Sequence, residues 1–182
     1  LAALVLLALR KRHDAGVGGR GGVLRAASLA GALIIVQALL GMVTVRMGNS
    51  AAATVAHLLN GALLLAALAA TVLRAGGLGS RLMDRATPTM TRAARGSAAA
   101  AAIALVTVLF GGLTAKIPGA NGACTGFPLC SGSWLPTGPA QHVQFTHRLI
   151  AFLLFFHVLG LMIGFTGRRE APAVRRAVQI AF

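Results

Sequence analysis

"LLGMVTVR" at Leu39–Arg46 returns as "LFGGLTAK" at Leu109–Lys116. Gly41 falls on Gly111, Thr44 on Thr114, and the basic Arg46 on Lys116. Each copy closes an apolar run. After each, a loop leads to a second apolar run with a histidine near its start, His57 in "TVAHLLNGALLL" and His147 in "FTHRLIAFLLFF". The loops differ in length but the flanking runs correspond, which marks a duplicated supersecondary unit. The unit reads as a helical hairpin. Gly41 and Gly111 are its expected points of close approach, because a missing side chain lets two helix backbones come together.

Outward from the repeat, composition says where such hairpins live. Of 182 residues 57% are hydrophobic, and only 11% are Asp, Glu, Lys or Arg, against roughly 25% in soluble domains. The solvent for most of this chain is therefore lipid. Apolar runs of about 20 residues, long enough to cross a bilayer, occupy 23–45, 55–73, 98–115 and 145–165. The expected fold is all-α, a polytopic transmembrane helical bundle with an internal pseudo-repeat. Apolar residues 1–9 and 178–182 read as two partial spans of a longer protein. The opening run lacks a preceding basic segment and is not expected to be a signal peptide.

A formal net charge of +14 would suit a nucleic-acid partner, so its distribution decides. Arg10, Lys11, Arg12, Arg20 and Arg25 gather at the first span. Arg74, Arg81, Arg85, Arg92 and Arg95 separate the second from the third, and Arg168, Arg169, Arg175 and Arg176 follow the fourth. The other connections carry only Arg46, Lys116 and Arg148. By the positive-inside rule the rich connections face the cytoplasm and the poor ones face outward. Short basic loops without interleaved aromatics exclude a nucleic-acid role. The expected organisation is a first part, 1–75, with His57; a basic cytoplasmic linker, 76–97; and a second part, 98–182, with a cysteine loop and His147.

That loop is outward, on the oxidising side, and holds "GACTGFPLC", residues 122–130. Cys124 and Cys130 are close enough in sequence for an intraloop bridge, with Gly126 and Pro128 to turn the chain. A structural staple and a redox-active pair both remain open. Histidine within a span is rare and needs a reason. His57 and His147 sit at matched depths, where either an axial haem or metal ligand or a hydrogen bond to a neighbouring helix accounts for them. Arg148 suits a haem propionate or an interface anchor. His157 lies about 15 Å deeper at 1.5 Å per residue and reads as structural, with a second deep cofactor or a proton path as the alternative. His142 reads as a solvated loop residue with a propionate contact as the alternative, His13 as exposed, and Gln37 with Asn60 as interhelical hydrogen-bond partners.

"LLGMVTV", "VAHLLNGALLL", "LFGGLTAK", "GACTGFPLCSG" and "QFTHRLIAF", in that order, resemble the haem A synthase family over nearly the whole chain. The resemblance implies two pseudo-symmetric four-helix halves, eight helices in the parent, with this chain running from the end of helix two to the start of helix seven. It implies oxidation of a methyl group of haem O to a formyl group, giving haem A for terminal oxidases. His147 and Arg148 would bind a resident haem b, His57 would bind haem O as substrate, and His57 and His147 would each ligate iron. The partner histidines would lie beyond the two ends. Cys124 and Cys130 would form a disulfide covering the site above His147, with an electron-relay role open.

The catalytic residues stay unknown. The family's carboxylate would precede Leu1, and Asp14, Asp84 and Glu170 are on the cytoplasmic side. Expected partners are haem O, a haem O-supplying enzyme, an electron-transfer partner and the lipid bilayer, with homo-oligomerisation left open. The expected location is a bacterial cytoplasmic membrane. Two rivals stand beside this: a b-type cytochrome that only carries electrons, and a quinone-linked thiol oxidoreductase cycling Cys124 and Cys130.

Overall fold

The computed structural model describes residues 2–14, 16–19, 21–76 and 88–166. The expected partial span at 178–182 lies outside them, as do Arg20, Arg81, Arg85, Arg168, Arg169, Arg175, Arg176, Asp84 and Glu170. Five α-helices make up the described part: α1 (Ala2–Arg10), α2 (Val23–Arg46), α3 (Ala51–Arg74), α4 (Pro88–Lys116) and α5 (Pro139–Thr166). Four of them, α2 to α5, are long and apolar enough to cross a membrane. At 1.5 Å per residue, 24 residues in α2 and in α3 give about 36 Å, more than the roughly 30 Å hydrocarbon core. The chain is a multi-pass membrane protein. Its helix α4 starts ahead of the expected span, at Pro88, a residue suited to the first helical turn because its missing N–H would have had no partner there.

The chain divides into two compact units, Leu1–Asp84 and Arg85–Phe182. In the first, α2 and α3 form a hairpin and α1 packs against α2. The turn is tight: Gly48 and Asn49 take φ of 59° and 58°, and Ser50 caps α3 by accepting from the Ala53 N–H at 3.4 Å. Small and polar residues at seven-residue spacing form the seam, Ala30, Gln37 and Thr44 on α2 and Ala53, Asn60 and Ala67 on α3. All but Gln37 are buried. A heptad period keeps one stripe of each helix facing the other, and small side chains allow the close approach that stands in for hydrophobic collapse in lipid. Thr44 Oγ1 lies 2.7 Å from the Leu40 carbonyl and 3.2 Å from that of Ala53 across the seam. At the other end Arg74 donates to the Gly22 carbonyl at 3.4 Å. Large apolar side chains such as Ile35 and Leu65 point outward, 64% and 68% exposed, as a lipid-facing surface requires.

The second unit repeats the hairpin with α4 and α5. Thr107 and Thr114 hydroxyls donate to Ile103 and Phe110, four residues back on their own helix. Deeper in the pair, His157 Nε2 lies 3.0 Å from the Gly96 carbonyl oxygen, an N–H donor to a backbone acceptor. Between the helices runs a long connection with a short 3-10 turn at Ala120–Gly122 and a disulfide joining Cys124 to Cys130.

Candidate functional site

The repeated glycines and histidines meet. A Cβ built on Gly41 would lie 3.4 Å from Cε1 of His57, and one on Gly111 would lie 3.1 Å from Cε1 of His147. Each imidazole therefore lays its edge on the bare backbone of the preceding helix, in both halves of the duplication. His57 is the seventh residue of α3 and His147 the ninth of α5, about 9 and 12 Å below their helix starts at 1.5 Å per residue. Both rings are half-buried, and Nδ1 of each is buried with no hydrogen-bond partner. An unpaired buried polar atom costs about 1–3 kcal/mol. With Nδ1 buried against the preceding helix at matched positions in both units, Nε2 is the nitrogen of each ring left for a ligand.

The surroundings of the two rings differ. Gln37 Nε2 lies 3.1 Å from His57 Nε2 and donates to the His57 carbonyl oxygen at 3.2 Å. The expected pairing of Gln37 with Asn60 is present: Asn60 Nδ2 donates to Gln37 Oε1, and also to the Leu33 carbonyl at 3.0 Å. Gln37 is thus bonded to His57 as well as to Asn60. Its position was legible, since it lies four residues before Gly41 and so on the same helix face.

Arg148 reaches the cysteine loop. Its guanidinium donates to the carbonyls of Gly126 at 2.9 Å, Cys124 at 2.9 Å and Leu129 at 3.5 Å. Gln144 accepts from the Cys124 N–H through Oε1 and donates to the Asn121 carbonyl at 2.7 Å. Gln141 donates to the Ala123 carbonyl at 3.2 Å and accepts from Thr137. Gln141, Gln144 and Arg148 stand at i, i+3 and i+7, one polar stripe on α5 that holds the loop backbone. Sequence reading had singled out only Arg148 from it, although a Q-x-x-Q-x-x-x-R run at a helix start after a Gly- and Pro-rich loop was the available signal. Beneath the clamp Cys124 and Cys130 are 5% and 2% exposed and cluster with Phe145. The pair is closed and covered, and Phe127 of the same loop packs on Phe152 with ring centroids 5.2 Å apart.

The other histidines are accounted for. His157 is tied to α4 as described. His142 lies in the first turn of α5, exposed, 2.9 Å from the Gly138 carbonyl through Nδ1. Exposed His13 lies beside the Arg12 guanidinium, which donates to it at 3.1 Å.

The donor set fits a haem iron. An axial site takes one imidazole per face, so one such histidine in each hairpin is enough, and no group of three or more metal-ligating side chains stands together among the described residues. Below His147, at i+4, i+7 and i+11, Ala151, Leu154 and Val158 line an apolar groove of about 540 Å³ with Phe155, Leu159 and Met162. Among the described residues the only carboxylate side chain is that of Asp14, in the turn after α1, so neither hairpin supplies an acid or base of that kind. No curated protein and no solved structure matches the chain. The model of the COX15-CtaA family, described as cytochrome oxidase assembly protein, matches residues 1–182, and the chain belongs to that family, the one its motifs resemble.

Proposed function

We propose that this chain carries the haem-handling hairpins of an enzyme that oxidises a methyl group of haem O to the formyl group of haem A. His57 takes haem O as substrate, and His147 takes haem b as resident cofactor. The haems supply the redox chemistry when bound. The chain's own residues place them. Gly41 and Gly111 set each imidazole edge against a helix backbone, and the apolar groove along α5 gives a tetrapyrrole a water-poor wall. Gln141, Gln144 and Arg148 hold the disulfide loop over the His147 end of α5. Donors of Arg148 beyond these bonds serve a propionate.

The single observation that carries this proposal is the repeated glycine–imidazole contact, which buries Nδ1 of each ring against the preceding helix and leaves Nε2 as the nitrogen for iron in both units. The poorly charged connections, with the cysteine loop, face the outside of a bacterial cytoplasmic membrane. An enzyme supplying haem O and an electron-transfer partner complete the pathway.

The test is expression of the full-length protein in a membrane host that makes haem O but no haem A, followed by chromatography and mass identification of extracted haems. Haem A or a hydroxylated precursor, lost with His57→Ala or His147→Ala, is the expected result. Haem b with untouched haem O would assign a b-type electron carrier instead, and a haem-free protein would overturn both.

A further inference from the structure

The hydrogen bonds around His57 leave little freedom in their assignment. Asn60 Nδ2 lies 3.0 Å from the Leu33 carbonyl, which only accepts, so that atom is the amide nitrogen and its second hydrogen goes to Gln37 Oε1. The other terminal atom of Gln37 is therefore its NH2 group, with one hydrogen on the His57 carbonyl and one on ring Nε2. A ring nitrogen that accepts carries no hydrogen, so neutral His57 keeps its proton on Nδ1, the atom without a partner. Among its described residues the second unit shows no counterpart at the matching positions. In the register that puts Gly41 on Gly111, Gln37 falls on Thr107, whose hydroxyl is bonded within its own helix at 2.8 Å. In the register that puts His57 on His147, Asn60 falls on Ile150, which has nothing to donate.

We infer that Gln37, clamped by Asn60, is a latch that competes with iron for the Nε2 lone pair of His57 and makes the first-unit site exchangeable, while the second unit lacks the latch. This rests on the haem-ligand role proposed above. Iron held at this ring would take the Nε2 lone pair in place of the amide hydrogen. No proton leaves the ring, because Nδ1 already holds it. Gln37 keeps its bond to the His57 carbonyl and swings back when the ligand departs. A substrate that must leave as product needs such a site; a resident cofactor does not. The bond stabilises the empty state by about 0.5–1.5 kcal/mol, which weakens affinity about two- to tenfold at 1.4 kcal/mol per decade.

The probe is ferric haem b, haemin, titrated into detergent-solubilised full-length protein and followed by its Soret band. In a His147→Ala background, where only the first-unit site reports, Gln37→Met is expected to tighten haemin binding two- to tenfold. In a His57→Ala background the same substitution leaves affinity unchanged. A residue that merely supports the fold would give the opposite sign, so unchanged or weakened binding in the first background overturns the latch. Should Gln37→Met fail to fold, Asn60→Ile installs the residue of the matching second-unit position and frees the amide. It is expected to raise affinity about twofold, and no rise overturns the latch equally. If His147→Ala protein binds no haemin, or binds it as well after His57→Ala, the ligand role of His57 fails, and the latch falls with it.

Discussion

Alanine at Gly41 and alanine at Gly111 are one substitution at matched places in the repeat, and the packing sends them in opposite directions. At Gly41 the added Cβ would meet His57 Cε1 at 3.4 Å and Nδ1 at 3.8 Å, close to the optimum of about 3.5–4.0 Å for carbon contacts. At Gly111 it would meet His147 Cε1 at 3.1 Å, roughly 0.4 Å inside that optimum, with Nδ1 at 3.7 Å and Nε2 at 3.8 Å in ordinary contact. Parting the helices is not an easy escape. Gln141, Gln144 and Arg148 bind the outer end of α5 to the loop that continues from α4. The strain falls on the orientation of the His147 ring. Replacing a helix-interior glycine by alanine gains roughly 0.5–1 kcal/mol, and overpacking costs about 1–3 kcal/mol. Gly41→Ala should therefore stabilise by about 0.5–1 kcal/mol, and Gly111→Ala should destabilise by up to about 2 kcal/mol. Thermal unfolding of the full-length protein in detergent measures the first difference. The Soret and low-spin signals of haemin bound in a His57→Ala background measure the ring's displacement. Equal stability changes for the two alanines, or an unaltered haemin spectrum with Gly111→Ala, would refute the reasoning.

Arg148→Gln removes a charged donor from three loop carbonyls. Bonds to a charged group contribute about 1.5–3 kcal/mol, so opening of the loop, read as alkylation of Cys124 and Cys130 under mild reductant, should rise about ten- to hundredfold; an unchanged rate would show that the clamp does not govern access. His157→Leu deletes the bond to the Gly96 carbonyl, and should lower stability by about 0.6 kcal/mol while leaving haem content intact; loss of haem would place His157 in a cofactor site instead. Thr44→Val and Thr114→Val separate a contact across a seam from one within a helix. The first should cost about 0.6 kcal/mol and the second close to nothing, and equal melting shifts would contradict that distinction.

Lipid as solvent made much of this protein readable from its residues. A span must satisfy every backbone group internally and bear an apolar surface, so hydropathy alone located α2 to α5. The internal repeat matched glycine with glycine and histidine with histidine because both halves are built by the same hairpin. The pairing of Gln37 with Asn60 was legible as two polar residues that lipid would not tolerate alone. What those residues touch was not. Side-chain partners across a seam depend on the register and distance of two helices, and a seven-residue stripe is compatible with several registers. Only the folded hairpin puts the Gln37 amide on the His57 ring, and only there does the Arg148 guanidinium, one residue from His147, close on the carbonyls of the cysteine loop. Composition and spacing thus determined the spans, the duplication and which helix carries each histidine, because these follow from the solvent and the helix period. Tertiary structure decided which hydrogen bonds each histidine makes, because a hydrogen bond requires atoms within about 3 Å, a distance no linear pattern specifies.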